Sequence, residues 1–128
     1  MIANEKLETI KYINNRSIPP TVIQLHGNES ANYCIKLKNE FPTIKLWKAF
    51  RLKSITDLKN ISKYEENIDA ILIDAWDEKA LGGTGNRVPI ELLINKTFKT
   101  PWILAGGISA EIIPEVFSKL RPDGIDAS

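Results

Sequence analysis

Trp102-Ile103-Leu104-Ala105-Gly106-Gly107-Ile108 is a short apolar run that ends in two glycines, and its reading decides the fold. Consecutive glycines where a strand meets a helix leave bare backbone N–H groups able to approach an oxyanion. In a parallel α/β protein that is where a phosphate sits. Similar punctuation recurs upstream, in Val22-Ile23-Gln24-Leu25-His26-Gly27, in Ala70-Ile71-Leu72-Ile73-Asp74 and in the loop Gly82-Gly83-Thr84-Gly85. The last residues, Gly124-Ile125-Asp126-Ala127-Ser128, repeat it once more.

Five apolar runs read as strands: Val22–Leu25, Ile44–Phe50, Ala70–Asp74, Trp102–Ala105 and Gly124–Ala127. Most are apolar without alternation, as strands buried on both faces of a parallel sheet are. Helical stripes lie between them: Ala31, Cys34, Ile35 and Leu37, then Ile55, Leu58 and Ile61. Ser54 with Asp57 three residues on resembles a capping box, with Asp in place of the preferred Glu. Pro89 suits the first turn of a helix through Leu93. Ser109 caps the next, where Pro114 delays or kinks the start. A further helix, Leu7 to Asn14, precedes the first strand. Strand, loop and helix thus recur roughly every 22 to 32 residues, ordinary spacing for βα units.

Composition narrows the function classes. Seventeen basic residues against sixteen acidic leave a net charge of +1, which gives no electrostatic footprint for nucleic acid or an anionic membrane. No apolar stretch has the ~18 residues of a membrane span. The N-terminus turns charged at once, unlike a signal peptide. A single cysteine forbids an internal disulfide, which fits the cytoplasm. The expectation is one α/β domain over residues 1–128.

Two architectures accommodate five parallel βα units: a doubly wound sheet, or part of a (β/α)8 barrel. In both, functional groups gather at the C-terminal ends of the strands. His26, Asp74, Gly106-Gly107 and Asp126 all fall there.

Taken in series, six motifs resemble phosphoribosylanthranilate isomerase. They are Gln24-Leu25-His26-Gly27-Asn28-Glu29, Trp47-Lys48-Ala49-Phe50, Ile71-Leu72-Ile73-Asp74-Ala75, Gly82-Gly83-Thr84-Gly85, Leu104-Ala105-Gly106-Gly107-Ile108 and Gly124-Ile125-Asp126-Ala127-Ser128. The resemblance implies an α/β fold, the part of a TIM (β/α)8 barrel that runs from the helix after the third strand into the eighth. About five of the eight strands are then present. The Lys-Ile-Cys-Gly segment that carries the family's catalytic cysteine belongs to the first strand, so the 128 residues alone are expected to be inactive. Cys34, on a mid-helix apolar stripe, does not replace that cysteine.

The family reaction is an Amadori rearrangement in tryptophan biosynthesis. It converts N-(5-phosphoribosyl)anthranilate to 1-(2-carboxyphenylamino)-1-deoxyribulose 5-phosphate, using a general acid to open the ribose ring and a general base at C2. No cofactor is implied, because the nitrogen lone pair drives the electron movement. By the resemblance Asp74 is the general acid. Gly106 and Gly107 bind the substrate phosphate, Ser128 begins a second phosphate loop, and Asp126 holds the anthranilate or ribose part. His26 lines the substrate site, and Gly83 lies in a loop that folds over it. Two departures touch that loop: Asn86-Arg87 stands where the family often has lysine, and Val88-Pro89-Ile90 replaces the usual Phe-Asp-Trp.

Blander readings stand beside these. Asp74 caps a loop, the glycines merely turn the chain, His26 is a hydrogen-bonded structural residue, and Trp47, Trp76 and Trp102 pack. Lys48 faces the interior or snorkels outward and carries no assigned chemistry. A flavodoxin- or receiver-like regulatory domain with Asp74 as phosphoacceptor is the alternative, but a receiver needs an acidic pair where His26-Gly27-Asn28-Glu29 stands. The expected partner is a small phosphorylated substrate, with pairing of a second copy at open sheet edges.

Overall fold

Five parallel strands lie in the order in which the chain makes them, β1-β2-β3-β4-β5, in the computed structural model. The structure describes residues 4–14, 21–52, 54–74, 93–94, 96–105 and 113–126. Helix α1 spans Leu7–Asn14. Then come β1 (Val22–Leu25), α2 (Ala31–Glu40), β2 (Lys45–Arg51), α3 (Ile55–Ile61) and a 3-10 turn at Glu65–Asn67. β3 (Ala70–Asp74), β4 (Trp102–Ala105), α4 (Ile113–Lys119) and β5 (Gly124–Ile125) complete the described elements.

That order separates the two architectures. Right-handed crossovers that always step to the next strand put every helix on one face of the sheet. A doubly wound sheet must reverse its order to cover both faces, and a receiver does so. No reversal occurs among the described strands, so the sheet is of the barrel kind.

Side-chain alternation follows. Ile23, Leu25, Leu46, Phe50, Ile71, Ile73, Trp102 and Leu104 join the larger core with Cys34, Leu37, Leu58 and Ile61 of the helices. The opposite face carries a smaller cluster, Ala49, Leu72 and Ala105, with Trp47 and Ile103 against it. In a barrel that second face is the interior. Because residues two apart share a face, Gln24, Arg51, Asp74 and Asp126 belong to it.

One device recurs at the opposite end of the sheet. Asp69, just before β3, donates its N–H to Leu46 O at 2.7 Å, and its carboxylate accepts from Leu46 N at 2.7 Å. Asp123, just before β5, does the same with Trp102, at 2.8 and 2.9 Å. Lys38 adds an ion pair to Asp69 at 2.8 Å.

Several expectations need correcting. The second strand runs Lys45–Arg51 rather than Ile44–Phe50. The last is assigned only over Gly124–Ile125. Ile35 and Ile55 are exposed, at 37% and 55%, although both were placed on apolar stripes. Ile35 lies about 100° round the helix from buried Cys34, and Ile55 is the first residue of α3, so neither reaches the sheet. Ser54 does cap α3, with the Asp57 carboxylate accepting from Ser54 N at 3.0 Å. Pro114 sits in the first turn of α4. The helix start at Pro89 and the Ser109 cap lie outside the described residues.

Candidate functional site

His26 directly follows β1 and Asp74 is the last residue of β3, so both stand at the C-terminal ends of their strands. Both line a cleft of about 530 Å³ at the C-terminal end of the sheet, with Lys48, Arg51 and Tyr64. Asp74 is half-buried and pairs in register with Arg51 on one side and Ala105 on the other. Asp126 follows Ile125, the register partner of Leu104, and donates its N–H to Leu104 O at 2.8 Å. It is not part of that cleft's lining. The fold thus brings His26 and Asp74 to one cleft and sets Asp126 further along the same edge. Gly83, Gly106, Gly107, Ser128 and Trp76 lie outside the described residues.

His26 Nε2 stands 2.5 Å from the amide nitrogen of Gln24. A neutral ring with Nε2 unprotonated can accept from that amide. Partial burial, the largest cause, lowers the His26 pKa; the Lys48 charge adds to this, while the Asp74 and Glu29 carboxylates oppose it.

Cys34 is fully buried, and burial drives its thiol up to about 11, with Glu29 adding and Lys48 opposing. A thiol so raised is not a nucleophile near neutral pH. That agrees with a packing role.

Three residues that the sequence reading left without a role are built into the wall of the cleft. Lys48 is 3% exposed and Glu29 5%, and Lys48 Nζ lies 3.2 Å from Glu29 Oε1. Lys48 also donates to Gly27 O at 2.8 Å and to Ala49 O at 3.0 Å. Glu29 Oε2 accepts from Asn4 N at 2.7 Å. Burial pushes the Glu29 pKa up, but the Asn4 and Glu29 N–H groups and Lys48 outweigh it, and the net shift is downward. A signal existed: a lysine inside an otherwise apolar strand must find an acidic partner if it is buried. Among the described residues no group of histidine, cysteine and carboxylate side chains could hold a metal ion. No described helix is long and apolar enough to cross a membrane.

The comparisons with known proteins agree with this geometry. The sequence model of the N-(5'-phosphoribosyl)anthranilate isomerase family matches residues 1–128. The enzyme of that name from Crocosphaera subtropica is 44% identical over 108 residues, 84% of this chain and 51% of the relative. Phosphoribosyl anthranilate isomerase from Thermotoga maritima has a similar structure, with a TM-score of 0.76 and 25% identity over 98% of this chain and 58% of that one. A second structure, a complex of such an isomerase with reduced 1-(o-carboxyphenylamino)-1-deoxyribulose 5-phosphate, superposes at a TM-score of 0.67 with 23% identity, over 98% of this chain and 56% of that one. The chain spans about half the length of the curated relatives it matches. With six motifs in order on a barrel-type sheet, the chain belongs to the N-(5'-phosphoribosyl)anthranilate isomerase family.

Proposed function

We propose that the chain supplies strands four to eight of a phosphoribosylanthranilate isomerase barrel. The reaction is the Amadori rearrangement of N-(5-phosphoribosyl)anthranilate in tryptophan biosynthesis, a cytoplasmic pathway on this reading. The observation that carries it is the unreversed parallel sheet that puts His26 and Asp74 on one cleft at the strand C-termini. Asp74 protonates the ribose ring oxygen as the C1–O bond opens. His26, held neutral, lines the substrate, and Asp126 contacts its anthranilate or ribose part. Gly106 and Gly107 offer backbone N–H groups to the phosphate, Ser128 contributes to a second phosphate loop, and the loop with Gly83 closes over the site. The complex with a deoxyribulose 5-phosphate among the structural neighbours supports a phosphorylated substrate.

The proton at C2 needs a base that the family supplies from its first strand, so the 128 residues alone do not turn over. The edges at β1 and β5 pair with a second copy or with the missing units. Conversion of the substrate is measured with the purified chain, and again after mixing with a polypeptide bearing the three preceding βα units. Turnover only in the mixture is expected. A folded mixture that stays inactive would overturn the reading.

A further inference from the structure

The three residues after His26 are each tied down by a different part of the molecule. Lys48 Nζ, from β2, donates to the carbonyl of Gly27. Asn28 N donates to Asn4 Oδ1 at 2.7 Å, from the segment before α1. Tyr64 OH, beyond α3, donates to the carbonyl of Glu29 at 2.8 Å. The Glu29 side chain then closes the set, with one carboxylate oxygen on Asn4 N and the other beside the Lys48 ammonium. Asn4 adopts a φ of 55°, in the left-handed region that asparagine tolerates, and so wraps over Gly27.

A buried ion pair is a poor source of stability. Apolar residues of similar volume serve as well or better, because desolvating two charges offsets their attraction. Apart from one bond from Lys48 to Ala49 O on its own strand, this pair spends its hydrogen bonds on the backbone of one short loop and on the residue that covers it. Its effect is therefore on where that loop sits.

We propose that the buried Lys48–Glu29 pair, together with Asn4, is a positioning device for His26, fixing the loop that follows the histidine and so where the imidazole meets the cleft. The inference rests on reading His26 as a substrate-lining group. Lys48 and Glu29 are positioning residues: burial keeps them from solvent, and they act through the loop.

The test uses the 128-residue chain and two variants, followed by NMR titration of the His26 ring and by amide hydrogen exchange. Lys48→Met/Glu29→Gln removes both charges of the pair; Lys48 lowers the His26 pKa more than Glu29 raises it, so this variant is read by amide exchange, and the titration is read in the charge-neutral Asn4→Gly. Asn4→Gly keeps the backbone conformation and deletes only the side-chain tie. In both, the Gly27 and Asn28 amides are expected to exchange at least ~10-fold faster while β2 and β3 keep their protection. In Asn4→Gly the His26 titration moves up toward its ordinary value. An unchanged His26 titration in folded Asn4→Gly, which alters no charge, overturns the proposal, as does unchanged exchange of the loop amides in a folded double variant. Neither readout needs turnover, so an inactive barrel would refute the isomerase reading and leave this result standing.

Discussion

Asp74 and Asp126 close the same row of the sheet, two strands apart, with Ala105 between them. At parallel-strand spacing their α-carbons are about 10 Å apart, room for a pentose between two carboxylates. The two positions are thus suited to different ends of one substrate rather than to a shared proton.

Asp74→Asn in a complete barrel is expected to cut kcat by at least ~10²-fold, the usual scale for losing a general acid, with KM little changed. Asp126→Asn should instead raise KM. Steady-state kinetics separate the two, and near-normal kcat for Asp74→Asn removes that residue from the acid role.

Gly27→Ala tests the close approach of the N-terminal segment. An added Cβ would stand 2.5 Å from Asn4 Oδ1 and 2.8 Å from Asn4 N, a backbone atom that cannot swing aside. The expected cost is about 1–3 kcal/mol, as for overpacking elsewhere. Urea unfolding of the variant measures it, and an unchanged midpoint would mean that residues 4–6 detach freely.

The Asp69 clamp carries an acid sensitivity. Burial raises its pKa, but the Lys38 ammonium, the Leu46 N–H and the Lys45 charge prevail and hold it below the usual carboxylate value. A depressed folded pKa means stability that is fully present above the unfolded value and lost as pH falls through the folded one. Asp69→Asn should cost about 1–2 kcal/mol near neutral pH, modest because the pair is partly solvated. The difference from the parent should vanish in strong acid, which unfolding at a series of pH values reads directly.

His26 acts in the same direction, in a higher pH window. Its folded pKa lies below that of the unfolded chain, so the unfolded state binds a proton first as pH falls below about 6.5. Stability therefore rises with pH up to that point, and acidification takes it away. His26 is the chain's one histidine, so His26→Gln should flatten the slope just below about pH 6.5. A slope that survives the substitution assigns it to other groups.

Much of this architecture was legible because parallel strands buried on both faces leave largely apolar runs, broken in β1 only by Gln24. β1, β3 and β4 and helix α1 fall where those runs and stripes end. The position of His26 and Asp74 at one rim was legible for a related reason: a polar residue directly after the last apolar residue of a parallel strand stands at its C-terminal end. The Lys48–Glu29 pair was not, since two charges 19 positions apart leave no periodic trace and only packing puts them together. Stripes likewise cannot mark where a helix leaves the sheet, which is why Ile35 and Ile55 were misplaced. The paired clamps of Asp69 and Asp123 escaped because an aspartate before a strand reads as turn chemistry, whatever its carboxylate reaches.

The unreversed strand order also bears on how such a chain folds. Every described strand pairing joins neighbours in sequence and closes a loop of roughly 20 to 30 residues, so the entropy lost at each closure is small and nearly the same. Contact order stays low for a parallel sheet, whose pairings are otherwise among the slower ones to form. Assembly can proceed in the direction of synthesis, each finished strand presenting its open edge as the template for the next, with no step that waits on a distant segment.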